Sequence, residues 1–209
     1  MKSCQMFVCP QSVIRAFDVF FITAYSLFPN KNVTFADFFI RHTLNKTIKM
    51  KEELEARVER AVDYFMQGYG CCQSVVAAFA DIYGLDEKLA LKIAAGFGGG
   101  VGKMRMMCGA VSGLVMLIGL EEGQTEGADN EGKSHCYKIV QQLLEESKQQ
   151  NGSIICAEIL GLKGYEKAAN SYVASERTAE YYKKRPCAAK VESAARIFAD
   201  YLEKKGQEV

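Results

Sequence analysis

The sequence predicts an all-α fold, a compact bundle of six to seven helices, and three observations support this. From residue 51 onward, apolar residues recur at the spacing of one helix face. No stretch of four or more residues alternates between apolar and polar side chains as a half-buried strand does. The chain contains only three prolines, which fits long unbroken helices, and its 209 residues are enough for one domain with a core.

Three helices are predicted before a glycine-rich loop at residues 96–102. The first begins at Met50 and is stopped by two glycines just before Cys71, where the second begins. Gly84 ends the second helix, and the third follows Asp86, a typical N-cap residue. The side chains expected to face the core are Leu54, Val58, Ala61, Val62, Phe65, Met66, Val75, Val76, Phe79, Ile82, Leu89, Ile93, Ala94 and Phe97.

The remaining helices follow the glycine loop. The fourth runs from about Cys108 to Leu120 and contains no charged residue, so we expect it to be the central helix, buried all round. A fifth covers about residues 133–149, a short one 153–160, and the last begins at Pro186; part of 161–182 is also helical in this interpretation. Their core-facing residues are Cys136, Ile139, Val140, Leu143, Leu144, Val191, Ala195, Phe198 and Leu202.

Residues 1–49 differ in composition from the rest of the chain. They hold eight of the twelve phenylalanines and only two acidic residues, Asp18 and Asp37. We therefore divide the sequence into an N-terminal extension, 1–49, and a four-cysteine helical domain, 50–209. The leading hypothesis is that Met50 is the true start and that the extension is upstream sequence read as protein, or is poorly ordered. The alternatives are an extension that docks on the body and a segment that associates with a membrane.

Charge and cysteine content limit the classes of function. The formal net charge is +1, which gives no support to nucleic acid or an anionic membrane surface as the main partner. The N-terminus lacks the pattern of a secretory signal, and its most apolar stretch, 19–28, is too short to span a bilayer. We therefore expect a cytoplasmic protein. In a reducing compartment, eight cysteines suggest reactive thiols or metal ligands more than structural disulfides.

Four of the cysteines are candidate site residues because of their position. Each falls in the first turn of a predicted helix; they are Cys71, Cys108, Cys156 and Cys187. The unpaired N–H groups and the dipole at a helix N-terminus stabilise a thiolate and lower its pKa. Basic residues also precede Cys108, at 103 and 105, and Cys187, at 183–185. The alternative interpretation is that each cysteine is a small apolar core residue.

The other cysteines and the histidines are weaker candidates. We interpret Cys72 and Cys136 as packing residues and His135 as a side chain that faces solvent, while Cys4 and Cys9 lie in the extension. Because the chain has no CxxC motif and only two histidines, a thioredoxin-type site and a Cys–His or Ser–His–Asp nucleophile are excluded. The wide spacing of the cysteines excludes a compact zinc finger.

The glycine loop does not fit a phosphate-binding P-loop. Phe97 stands where that motif needs its first glycine, Met104 follows Lys103 where the motif has Ser or Thr, and no strand precedes the loop. We expect these glycines to let two helices approach closely, or to leave backbone N–H groups open beside Cys108.

Taken together, these motifs resemble those of the C_GCAxxG_C_C family, a group of small bacterial and archaeal proteins named for four cysteines and a Cys-Gly-Ala-x-x-Gly motif. The matching stretches are Gly68-Tyr69-Gly70-Cys71-Cys72-Gln73-Ser74-Val75, Gly96-Phe97-Gly98-Gly99-Gly100, Cys108-Gly109-Ala110-Val111-Ser112-Gly113, Cys156 and Cys187. The resemblance covers residues 51–204 and maps the four family cysteines onto the four candidates. Cys72 stands where the family usually has alanine, so no role is carried onto it.

The resemblance implies a redox function, which the family is assigned from its cysteines. Some members resemble a domain of split-Soret-type cytochromes, and some carry selenocysteine, which suggests an atom that attacks or binds metal. This chain has no CxxCH motif, so covalent c-type haem is not expected.

Three functions remain open from the sequence. The first is a thiol oxidoreductase in which Cys108 or Cys71 attacks and another of the four resolves the mixed disulfide. The second is a metal site in which Cys71, Cys108, Cys156 and Cys187 hold zinc or an iron–sulfur cluster. The third is a structural or partner-binding helical domain. A disulfide needs one pair of Cα atoms within about 4.4–6.8 Å, whereas a cluster needs three or four sulfurs that converge. The partner is an unidentified redox or electron-transfer protein, and a homodimer is left open.

Overall fold

A computed structural model describes residues 35–163 and 171–207 of the protein. Within these ranges it has eight α-helices, two 3₁₀ turns (Ala80–Tyr83 and Ala95–Phe97) and no strand, so the predicted all-α bundle is confirmed. The helices are α1 (Phe35–Met66), α2 (Cys71–Phe79), α3 (Glu87–Ala94), α4 (Gly109–Glu122), α5 (Asn130–Asn151), α6 (Cys156–Ile159), α7 (Ala179–Lys184) and α8 (Cys187–Gln207). Within the described ranges, no helix is both long and apolar enough to cross a membrane.

Contacts between Cα atoms divide the chain into two units whose boundary falls inside α1, between Ile48 and Lys49. In the first unit, the described part of α1 exposes Ile40 and Leu44 to more than half of their full surface. The second unit holds the remaining helices. The predictions made for residues 1–34, including Cys4 and Cys9, lie outside the described residues, and a start at Met50 stays a prediction.

Helix α4 is the centre of the second unit, as its lack of charge predicts. It packs against α2, α5 and α8, and its residues from Gly109 to Leu114 are buried. Burial all round is wrong for part of the helix, since Val115 and Met116 are half-buried and Leu120 is 42% exposed where the last turn leaves the core. Phe79 of α2 and Phe198 of α8 meet edge to face beside it, with ring centroids 5.2 Å apart. Such aromatic pairs contribute beyond the area that they bury.

Two glycines of α4 let α2 approach closely. A Cβ at Gly113 would lie 2.9 Å from Cβ of Val75, and a Cβ at Gly109 would lie 2.9 Å from the carbonyl oxygen of Phe97 and 3.3 Å from Cβ of Cys71. Residues four apart lie on one face of a helix, so the Cys-Gly-Ala-x-x-Gly motif gives α4 a side-chain-free face against α2. This approach sets the distance between the starts of α2 and α4, where two of the candidate cysteines lie.

The predicted helix starts agree with the structure better than the predicted inward faces, with one exception. The helix start predicted at Met50 is wrong, since α1 begins at Phe35 and residues 35–49 contain no proline or glycine that would interrupt it. Asp86 caps α3 by accepting a hydrogen bond from the backbone N–H of Leu89. The inward orientation predicted for Ile82, Leu89, Ile93 and Met66 is wrong, since these side chains are 42–49% exposed. Helix α3 instead buries two alanines, Ala90 and Ala94, in a small cluster with Cys72, Val76 and Ala80. The small side chains allow a close approach to α2 that leaves the large ones at the flanks.

Candidate functional site

The four candidate cysteines line one cavity of about 660 Å³. Cys71, Cys156 and Cys187 are the first residues of α2, α6 and α8, and Cys108 is the residue before α4, its N-cap. The sequence-based placement at helix starts agrees with the structure. Four helix N-termini therefore meet at this cavity, although the cysteines are far apart in the sequence.

Backbone hydrogen bonds hold Cys108 and Cys156 beside each other's chain segments. The N–H of Cys156 donates to the carbonyl of Met106 (2.7 Å), and the N–H of Cys108 donates to that of Ile154 (2.8 Å). Met107 and Ile155 form an antiparallel bridge between these bonds. The two cysteines are thus fixed by a short pairing of backbone rather than by side-chain packing alone.

The sequence suggested that the glycine loop lets two helices approach closely. In the structure the loop instead packs against this pairing of Met107 with Ile155. Gly100 has φ +75°, and a Cβ there would lie 2.7 Å from Cβ of Cys156. Val101, Lys103 and Arg105 also have positive φ (56°, 66° and 66°), which is rare for residues with a Cβ. Such strain occurs where the surrounding structure enforces it, and here the enforced conformation turns the loop onto Cys156.

The thiols of Cys71 and Cys187 both line the cavity, and each is the largest influence on the pKa of the other. A hydrogen bond from the Cys71 thiol is the main cause that lowers the pKa of Cys187 to about 7, and Arg185, Arg177 and Arg105 add to it against the effect of burial. The same interaction, followed by burial, raises the pKa of Cys71. One member of the pair is therefore the thiolate near neutral pH, and the other is the thiol.

The expectation that a helix N-terminus lowers the pKa is wrong for three of the four cysteines. Burial is the main cause that raises the pKa of Cys108, although the backbone N–H groups of Ala110 and Val111 oppose it. Burial also raises the pKa of Cys156 against a hydrogen bond from Arg105. The loss of water around these thiolates outweighs the helix N-terminus, a balance that depends on packing and not on the helix alone.

The minor candidates behave largely as packing or surface residues. Cys72 is fully buried, its Sγ lies 3.6 Å from Sδ of Met116, and burial raises the pKa of its thiol to about 12. Cys136 is half-buried on α5 rather than part of the core. The His135 side chain is 53% exposed and lies 3.0 Å from a carboxylate oxygen of Glu122.

Five basic residues also line the cavity: Lys103, Arg105, Arg177, Arg185 and Lys190. Sequence reasoning noted the basic residues at 103, 105 and 185 but missed Arg177 and Lys190. Arg177 lies in a stretch without a clear pattern, and its guanidinium stacks 4.6 Å from the ring centroid of Tyr181 and 4.8 Å from that of Phe65. The tyrosine-rich composition around residue 181 is the only sequence signal for it.

Metal binding by the same cysteines stays a hypothesis. In the part of the chain that the structure describes, no three His, Cys, Asp or Glu side chains are grouped so as to hold a metal ion. The cavity does, however, present four sulfur atoms from four chain segments.

The comparisons with known proteins agree with the motifs. The family described as "Putative redox-active protein (C_GCAxxG_C_C)" matches residues 69–201, which include all four cavity cysteines and the glycine loop. No curated protein and no solved structure shows a significant match to the chain. The matched stretch is more than half of the chain, and the description of the family supports a general redox role. The chain belongs to the C_GCAxxG_C_C family.

Proposed function

We propose that this protein performs thiol–disulfide exchange, with Cys187 as the attacking thiolate and Cys71 as the resolving thiol. The observation that carries the proposal is that both cysteines, at the starts of α2 and α8, line the same cavity, and the lowered pKa of Cys187 supports it. The sequence had suggested Cys108 or Cys71 as the attacking residue. The pKa directions support Cys187 instead, because it is the one of the four that is shifted toward the thiolate.

The exchange proceeds in two steps that balance. The Cys187 thiolate attacks one sulfur of a disulfide, forms a mixed disulfide and releases the other sulfur as a thiolate, which takes the proton of Cys71. The Cys71 thiolate then attacks Sγ of Cys187 and releases the second substrate sulfur. The protein dithiol is oxidised to a disulfide, and the substrate disulfide is reduced to one thiol and one thiolate, the second of which takes its proton from solvent.

The charge on Cys187 controls when the second step of the exchange occurs. Its negative charge is one of the causes that raise the pKa of Cys71, so Cys71 stays protonated while Cys187 is a thiolate. Formation of the mixed disulfide removes that charge. Arg177, whose charge lowers the pKa of Cys71, is then opposed only by burial and by the charge of Cys108, so the pKa of the resolving thiol falls once there is a mixed disulfide to resolve.

A metal or cluster site is the second candidate, because one cysteine from each of four chain segments lines the same cavity, although no three of the described side chains are grouped so as to hold a metal ion. In that case any single substitution of Cys71, Cys108, Cys156 or Cys187 lowers the metal content. Thiol exchange instead requires one specific pair.

The test oxidises the full chain, purified without oxygen, with one equivalent of a small disulfide and maps the products by non-reducing peptide mass spectrometry. We expect a Cys71–Cys187 disulfide, a trapped mixed disulfide on Cys187 in Cys71→Ser, and neither product in Cys187→Ser. Cys136→Ser is the matched control, since that half-buried cysteine lies outside the cavity lining. A different disulfide pair would refute the assignment, and stoichiometric zinc or iron in the same sample would favour the metal site.

A further inference from the structure

The charged side chains in the described lining of the cavity are all basic. Its described lining contains the five basic residues named above and no Asp or Glu. The chain as a whole carries a net charge of only +1, so this concentration of positive charge is local. Charges of one sign that line a concave site raise the local concentration of ligands of the opposite sign.

Two of these basic side chains have unused donors. Arg105 is only 6% exposed, yet its Nε is buried without a hydrogen-bond partner in the described part of the chain. Nη1 of Arg177 is also buried and unpartnered, while Nη2 of the same side chain donates to the carbonyl of Tyr69 at 3.2 Å. A buried donor left unpaired costs free energy, and a charged donor costs more. A bound anion would supply the missing acceptors.

Aromatic rings hold the Arg177 guanidinium in place. It lies between the rings of Phe65 and Tyr181, with centroids 4.8 and 4.6 Å from Cζ, and Arg185 lies 4.7 Å from the same Tyr181 ring. Stacked guanidinium groups lose little freedom when they bind, and their fork of N–H donors matches a carboxylate or phosphate. The donors are therefore fixed before any ligand arrives.

From these observations we infer that the cavity binds a small anionic molecule carrying carboxylate groups, recognised by Arg105 and Arg177. The identity of the substrate rests on the proposed function. The substrate is then an anionic low-molecular-weight disulfide whose sulfurs reach Cys187 while its carboxylates bind the arginines. The chemistry is the two-step exchange described above, with the anionic disulfide as the oxidant of the Cys71–Cys187 pair. Among the described residues, the lining supplies no acidic side chain that would recognise a cationic disulfide.

Three disulfides of similar length test the charge preference: 3,3′-dithiodipropionate with two carboxylates, neutral bis(2-hydroxyethyl) disulfide and cationic cystamine. The readout is the second-order rate of Cys71–Cys187 disulfide formation in the full chain. We expect the dianion to react faster than the neutral compound by at least about tenfold at low salt, and cystamine to react slowest. The preference should shrink at about 1 M salt, because screening weakens charge interactions.

Binding is measured separately with suberate, which has the shape of dithiodipropionate but no sulfur and cannot be reduced. Calorimetric titration of the full chain should show saturable suberate binding and none of neutral 1,8-octanediol. Suberate binding without disulfide formation from any compound would refute the proposed exchange and leave the anion site standing. Equal oxidation rates for the three disulfides, or no suberate binding, would overturn the anion site and leave the exchange standing.

Variants connect the preference to the lining. Arg105→Gln removes the buried guanidinium, and Lys190→Gln is the second variant, because a half-buried lysine is easier to replace without loss of the fold. The dianion-to-neutral rate ratio should fall about two- to fivefold in Lys190→Gln and further in Arg105→Gln. Lys184→Gln is the control, since Lys184 is exposed and lies outside the cavity lining. An unchanged ratio in both lining variants would refute the assignment.

Discussion

Gly100 offers the sharpest test of how the loop is built around Cys156. In Gly100→Ala the new Cβ would lie 2.7 Å from Cβ of Cys156 and 2.8 Å from the backbone nitrogen of Met106, at φ +75°. The left-handed conformation costs about 1–2 kcal/mol for a residue with a Cβ. Overpacking against backbone adds about 1–3 kcal/mol. The free energy of unfolding should therefore fall by about 2–5 kcal/mol.

Gly102→Ala is the matched control. Gly102 has φ +55°, but a Cβ there meets nothing within 4 Å, so only the conformational cost of about 1–2 kcal/mol remains. Urea denaturation of both variants measures the difference, which should be about 1–3 kcal/mol and is the packing cost alone. Equal destabilisation of the two variants would show that the loop does not press on Cys156, and the account of its glycines would be wrong.

Three further predictions concern the thiol pair, the core and a helix cap. The rate of Cys187 alkylation by iodoacetamide should rise with pH with a midpoint of about 7. Cys71→Ala should move that midpoint upward, because the hydrogen bond to the thiolate is lost. An unchanged midpoint in this variant would contradict the pairing of Cys71 with Cys187. Phe198→Ala should cost about 3–5 kcal/mol of unfolding free energy in urea, since the side chain is fully buried. Asp86→Ala should cost about 0.5–2 kcal/mol in the same assay through loss of the α3 cap, and a neutral effect would mean that the cap is redundant.

Helix starts were predictable because their chemistry is local. Asp86 is an N-cap by its own side chain, Gly68 with φ +100° follows the end of α1, and Gly70 is the N-cap of α2. Inward faces were less predictable. The spacing of α3 allows a leucine–isoleucine face or an alanine face to pack inward, and the choice of Ala90 and Ala94 depends on the small side chains that α2 presents. Nothing within α3 itself contains that information.

The membership of the site was predictable, but its internal order was not. Position at helix starts selected the four cysteines, and all four line the cavity. The pairing of Cys71 with Cys187 joins the start of α2 to the start of α8, a contact that only the tertiary fold creates. The direction of each pKa shift follows from how much water the fold removes from each thiol, and Arg177 enters through a stretch in which the sequence shows no periodicity.

The adjacent residues Cys71 and Cys72 point in different directions, since successive residues on a helix are about 100° apart. Cys71 lines the cavity, whereas Cys72 lies in the core beside Met116. For a chemist who labels the native protein, this neighbouring pair counts as a single thiol. We therefore expect maleimides to modify Cys71 and not Cys72, and a trivalent arsenical that bridges two nearby sulfurs to take Cys187, not Cys72, as its second ligand.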